Sequence, residues 1–129
     1  MPGAVAFLRR MNGIKRLALA SSSYRVNVDL VLDRLGVADF FEVVVCRDDV
    51  SKAKPAPDAF LQAATMLGVE PSGCVVLEDA QKGVEAAYNA GMKCIAVPNQ
   101  YTVRDDFSRA TTIVPSLAEV TVEFIDSLE

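Results

Sequence analysis

Histidine is absent from all 129 residues. That removes every imidazole base, every Ser-His-Asp triad and every His-ligated zinc site. Cysteine is scarce. Cys46, Cys74 and Cys94 are odd in number and no pair has Cys-x-x-Cys spacing, so neither a thiolate metal site nor a dithiol redox motif is indicated. Each borders a Val-rich run and reads as a buried structural thiol, which suits a reducing cytoplasm. Long apolar runs are missing too. None approaches the roughly 20 residues that span a bilayer, and Arg9 and Arg10 interrupt the first apolar segment before it becomes a signal core. There is no excess of positive charge: the formal net charge is −4. Generic binding to nucleic acid or to an anionic membrane is thereby disfavoured. The glycine-rich nucleotide loops G-x-x-x-x-G-K-[ST] and G-x-G-x-x-G are also absent.

What is present is a core-forming chain, 51% hydrophobic and 23% charged, of a length that fits one domain, residues 1–129. Catalysis in such a chain rests on carboxylates, Lys, Ser, Cys or a metal held by oxygens.

Pro2 and Gly13 bracket a short helix over 4–11. Residues 15–20 form a strand-like run that ends in Ser21-Ser22-Ser23. Val28, Val31, Leu32 and Leu35 fall at i, i+3, i+4 and i+7, which predicts one buried helix face stopped by Gly36. Residues 42–46 are β-branched and predict a strand. Pro55 and Pro57 keep 52–58 out of a helix. The next helix turns Phe60, Leu61, Ala64 and Leu67 inward and stops at Gly68. Strand 74–77 runs into Glu78-Asp79. A helix over 80–90 buries Val84, Ala87 and Tyr88. Strands at 94–97 and 111–114 are closed by Pro98 and Pro115, and a last helix uses Leu117, Val120, Phe124 and Leu128. Alternating strands and helices with short connections predict an α/β fold: a parallel, Rossmann-like sheet flanked by helices.

Ligands of such sheets bind beyond the carboxyl ends of the strands. Three polar sets lie there. Ser21, Ser22 and Ser23 stand between a strand and a helix N-terminus, where amides and hydroxyls can cradle an anion; helix capping is their commoner use. Lys54 sits on a loop stiffened by two prolines and can present a fixed charge to phosphate; a solvated turn lysine is the commoner case. Glu78 and Asp79 are adjacent carboxylates at the end of an apolar strand. A shared Mg2+ explains them, and so does a split role in which Asp79 caps the next helix and Glu78 pairs with a lysine. Asp48-Asp49 and Asp105-Asp106 read as solvated loop acids.

Three stretches in this order resemble the haloacid dehalogenase-like phosphatases, in their β-phosphoglucomutase and phosphoglycolate phosphatase-like branch. They are Leu17 to Ser23, Lys54-Pro55-Ala56-Pro57-Asp58-Ala59-Phe60, and Val75 to Ala87 running on to Ala90-Gly91-Met92. The resemblance implies Mg2+-dependent phosphoryl transfer on a small phosphorylated metabolite. It gives Ser21, with Ser22 beside it, the phosphoryl group to hold. Lys54 neutralises charge, and Asp79 holds Mg2+, with Glu78 direct or through water. It also implies two gaps. The family's Asp-x-Asp, which carries the nucleophile of an aspartyl-phosphate route, follows no apolar strand here, and the helical cap that selects substrate has no counterpart. Residues 1–129 therefore read as a partial core domain, the second part of a longer protein, lacking a central strand between those at 15–20 and 74–78. A nucleophile supplied by the chain's own N-terminal segment, a non-catalytic phosphate- and Mg2+-binding module, and self-association through a second copy of the chain are the three functional readings.

Overall fold

The computed structural model describes residues 1–128. In order, it contains α1 (Ala4–Met11), β1 (Ala18–Ala20), α2 (Arg25–Leu35), β2 (Val43–Val45), α3 (Asp58–Leu67), β3 (Val75–Glu78), α4 (Gln81–Asn89), β4 (Lys93–Ala96), β5 (Thr112–Ile113) and α5 (Val122–Ser127), with short 3-10 turns between them. Every strand pairing is parallel. The architecture is α/β, parallel strands flanked by helices, as the alternation of elements predicts.

The strands do not form one sheet. β1 pairs with β2, and β3, β4 and β5 form a second sheet in that order. β1 and β3 do not pair with each other. The register explains which groups are left over. Ser21 N–H donates to Val45 O and Glu42 N–H to Leu17 O, so odd-numbered residues of β1 face β2. Successive residues of a strand turn their backbone groups to opposite sides. Ala18 and Ala20 therefore turn theirs away from β2. On the other sheet, Val97 N–H donates to Glu78 O, which leaves Val75 and Leu77 turned away from β4. Between these two lips lies a cavity of about 500 Å3. Phe60, Ala63 and Ala64 of α3 and Phe7, Leu8 and Met11 of α1 are among the residues that line it.

Strands that lack a neighbour are less buried. All three residues of β1 and three of four in β3 are only half-buried, whereas in β4 three of four are buried, with Ile95 at 0% exposure. The helices show where apolar spacing misleads. On α2 only Val28 and Leu32 are buried; Val31 and Leu35 are about half exposed. The helix packs onto the narrow β1–β2 pair, so a two-residue stripe is all that is covered. α3 turns in Ala59, Phe60, Ala63 and Ala64 rather than Leu61, which is exposed. Tyr88 on α4 is exposed, its ring stacked by Arg109 at 4.5 Å. The final segment splits: Leu117 belongs to a 3-10 turn, and α5 starts only at Val122. Gly36 and Gly68 end α2 and α3 with φ of 67° and 72°, a region that favours glycine.

Candidate phosphate and metal site

The carboxyl ends of β1 and β3 place the serine run and the acidic pair at the same end of the cavity, and the loop before α3 brings Lys54 between them. Lys54 Nζ donates to Ala20 O at 3.1 Å and to Glu78 Oε1 at 2.5 Å. It thus ties the end of β1 to the end of β3. The Lys54 and Glu78 side chains are only 10% and 12% exposed, and Nζ lies 4.7 Å from the centroid of the Phe60 ring. A buried ammonium needs this many partners, because desolvation without them is costly. The solvated turn lysine is therefore overturned. The loop is held from the far side by Asn89, whose Nδ2 donates to Pro55 O at 3.2 Å.

The serines do not cap α2. Its N-cap is Tyr24, and no side chain of the cap residue bonds to the helix. Asp48 fills that place from the β2 side: its Oδ1 accepts from Arg25 N–H at 3.0 Å. Ser21 Oγ instead accepts from Ser23 N–H at 3.1 Å. That bond uses an oxygen lone pair and leaves the hydroxyl proton available to donate. Ser22 N–H donates to no acceptor among the described residues. An anion cradle on this loop would therefore be narrower than a whole helix terminus, and would centre on Ser21 and Ser22.

Glu78 and Asp79 take different partners. Glu78 pairs with Lys54, and its carboxyl group lies against Gly83 on α4, where any Cβ would collide with it. Glycine at 83 is thus a clearance for the carboxylate. Asp79 does not cap α4. The N-cap is Ala80, and Asp105 Oδ2 accepts the Gln81 N–H at 3.0 Å. Asp79 Oδ2 accepts from Asn99 Nδ2 at 3.1 Å. Its Oδ1 has no donor among the described residues.

The two acid pairs read as solvated are both engaged. Asp49 Oδ2 accepts from Cys46 N–H at 2.7 Å and from the Arg25 guanidinium at 2.5 Å. These bonds, the backbone one first, hold its carboxyl below the usual aspartate range. Cys46, Asp48 and Asp49 cluster closely enough to hold a cation, but Arg25 already supplies the positive charge. Asp106 accepts from Ser108 N–H at 2.9 Å. Of the cysteines, Cys46 and Cys94 are buried and Cys74 is half-buried. Burial pushes the Cys94 thiol up to about 12, which keeps it inert.

The sequence reading passed over Asn99. It stands just beyond β4 and Pro98, at the carboxyl end of a strand, which is the signal that had marked the other site residues. The roles of Phe60 and Gly83 were hidden inside the matched stretches, where residue type alone does not show which group each one meets.

Comparison with known proteins adds to this geometry. A family model for haloacid dehalogenase-like hydrolases matches residues 1–91. The protein CbbY of Rhodobacter capsulatus is 35% identical across 99% of this chain, which spans 58% of that protein. The crystal structure of CbbY from Rhodobacter sphaeroides in complex with phosphate superposes with a TM-score of 0.89 at 32% identity, over 97% of this chain and 58% of that one. The β-phosphoglucomutase structure from Clostridium difficile gives 0.83 at 29% identity, over 98% and 55%. The chain thus spans somewhat under three fifths of the length of these relatives. With the family model covering well over half of it, this chain belongs to the haloacid dehalogenase-like hydrolases.

Proposed function

We propose that residues 1–129 are a partial core domain supplying the phosphate-binding, charge-neutralising and metal-binding part of a Mg2+-dependent phosphoryl-transfer enzyme. The enzyme would be a phosphomonoester hydrolase or phosphosugar mutase acting on a small phosphorylated metabolite in the cytoplasm. The nucleophilic Asp of its aspartyl-phosphate route would come from a segment outside these residues. One observation carries the reading. The cavity between the lips of β1 and β3 is lined at its carboxyl end by Ala20 and Glu78; Lys54 bonds to both, and Ser21 and Asp79 are the residues that follow them. An extended apolar segment in that cavity would satisfy both lips, and the residue following it would emerge among Ser21, Lys54, Glu78 and Asp79.

Phosphoryl transfer needs charge neutralisation and in-line positioning more than it needs unusual groups. Ser21 donates its hydroxyl proton to a phosphoryl oxygen, with Ser22 N–H beside it. Lys54 presents an ammonium held in place by Ala20 O and Phe60. The donor set suits Mg2+, which takes oxygen ligands from one or two carboxylates plus phosphate and water. Asp79 has a carboxylate oxygen to offer, and Glu78, engaged with Lys54, would serve through water. When bound, the ion supplies further positive charge to the phosphoryl oxygens. The phosphate seen in the CbbY structure supports the ligand class. Among the described residues no helix is long and apolar enough to cross a membrane.

The test is turnover of p-nitrophenyl phosphate with Mg2+. The chain alone should show none, and adding a segment with an apolar strand ended by Asp-x-Asp should restore it. Turnover by the chain alone, lost in Asp79→Ala, overturns the missing-nucleophile reading. Binding of inorganic phosphate with no turnover even after addition supports the non-catalytic module instead.

A further inference from the structure

Asn99 bonds to Asp79 in a way that fixes both the position and the polarity of the contact. Its Oδ1 accepts two backbone amides, Tyr101 N–H at 2.8 Å and Thr102 N–H at 3.1 Å. Its own N–H donates to Thr102 Oγ1 at 3.0 Å. An amide side chain has one accepting and one donating end. With Oδ1 committed to two N–H donors, Nδ2 is the end that faces Asp79 Oδ2, at 3.1 Å. A flipped amide would set NH2 against two donors and oxygen against a carboxylate, losing all three bonds.

The loop that carries Asn99 is anchored on both sides of the Asp79 turn. Val97 N–H donates to Glu78 O at 2.8 Å just before it. Beyond it, Asp105 Oδ2 accepts from Gln81 N–H, and Asp106 N–H donates to Gln81 Oε1 at 3.1 Å. Residues 99–106 therefore straddle Asp79 and hold Asn99 at a set distance from it. The bond takes Oδ2 and leaves Oδ1 without a described donor. A carboxylate fixed through one oxygen and open at the other is the arrangement by which outer partners orient a metal ligand.

We propose that Asn99 is a positioning residue for Asp79, aiming the open oxygen of that carboxylate at a divalent cation. This rests on the metal role proposed above for Asp79. Asn99 touches neither the cation nor the substrate; it acts through Asp79.

The experiment is calorimetric titration of the chain with Mg2+ and with Mn2+ as probes, with the thermal midpoint of each variant recorded. Wild type should bind, and Asp79→Asn should abolish binding. Asn99→Ala should weaken affinity about ten-fold, the usual cost of losing an outer partner. Thr102→Ala, which disturbs the same loop but keeps the Asn99 donor, should stay within about two-fold of wild type. Two results overturn the proposal while leaving Asp79 as a ligand: unchanged affinity in Asn99→Ala, or equal losses in Asn99→Ala and Thr102→Ala, which would make loop order rather than aim the determinant. If wild type and Asp79→Asn are alike in binding no cation, the metal role itself fails, and the inference with it.

Discussion

The two sheets differ in how each strand obtains its neighbours. β4 lies between β3 and β5 and is buried along most of its length. β1 has β2 on one side and the cavity on the other, and none of its residues is fully buried. Both strands are short and parallel, and apart from Lys93 at the start of β4 both are apolar, so composition does little to separate them. What separates them is a lateral partner. A strand in a parallel sheet is covered above and below by helices, but its two edges need other strands. The three-stranded unit closes around β4. The two-stranded unit leans on α1, α3 and side-chain ties such as Lys54 to Glu78 and Lys15 to Asp126 to stay beside it.

The largest test of that contrast is a pair of truncations. Ile95→Ala in β4 should cost about 4 kcal/mol, since it empties a fully buried site. Leu19→Ala in β1 should cost about 1.5 kcal/mol, because the side chain is only half-buried and the removed atoms already face incomplete packing. Urea unfolding measures both. Equal losses would mean that the gap does not weaken β1, and the contrast would collapse.

Next comes the bridge between the units. Lys54→Ala removes the bond to Ala20 O and leaves a mostly buried Glu78 unpaired. That should cost about 3 kcal/mol. Lys54→Met with Glu78→Gln should recover more than half of the loss, because the stranded charge is then gone. If the double variant is no better than the single one, the bond to Ala20 rather than the ion pair holds the units together.

The smallest effect is a pH dependence confined to the two-stranded unit. Asp49 has a depressed pKa in the folded protein, through Cys46 N–H first and Arg25 next. A depressed carboxylate contributes stability that is complete above the ordinary aspartate range and is lost as pH falls through the lower folded value. Thermal midpoints of wild type and Asp49→Asn should therefore differ at neutral pH and converge in acid. A gap that stays constant into strong acid would show that the contribution comes from shape rather than charge.

The order and kind of the elements were readable because the periods of 2 and 3.6 differ and because glycine and proline mark the ends. The breadth of each buried face was not. Val31 and Leu35 have the spacing of a core stripe, yet the surface beneath α2 is only two strands wide. At the site, the place of Ser21 and Asp79 just past strand ends and of Glu78 at the end of β3 was legible, and the structure brings Lys54 and Glu78 into contact. A lysine partner for Glu78 is one of the two roles the acidic pair suggests; the other partners were not legible, since they arise between segments far apart in the chain. Asp48 reaches Arg25 across 23 residues and Asn99 reaches Asp79 across 20. Neighbouring acids look alike in sequence, whatever amide or guanidinium the fold sets opposite them.

The pairing of Lys54 with Glu78 also shapes how an anion is received. On the phosphate reading proposed above, an arriving dianion would meet an ammonium already paired with a carboxylate, so its uptake would compete with Glu78 rather than fill a vacant charge. The affinity is then a difference between two pairings of similar kind. Added salt would screen both pairings, which would make binding less sensitive to ionic strength than capture by a free surface lysine. Such competition would loosen Glu78 beside Asp79 as the anion arrives, so occupancy by the ligand and the charge available to a cation would rise together.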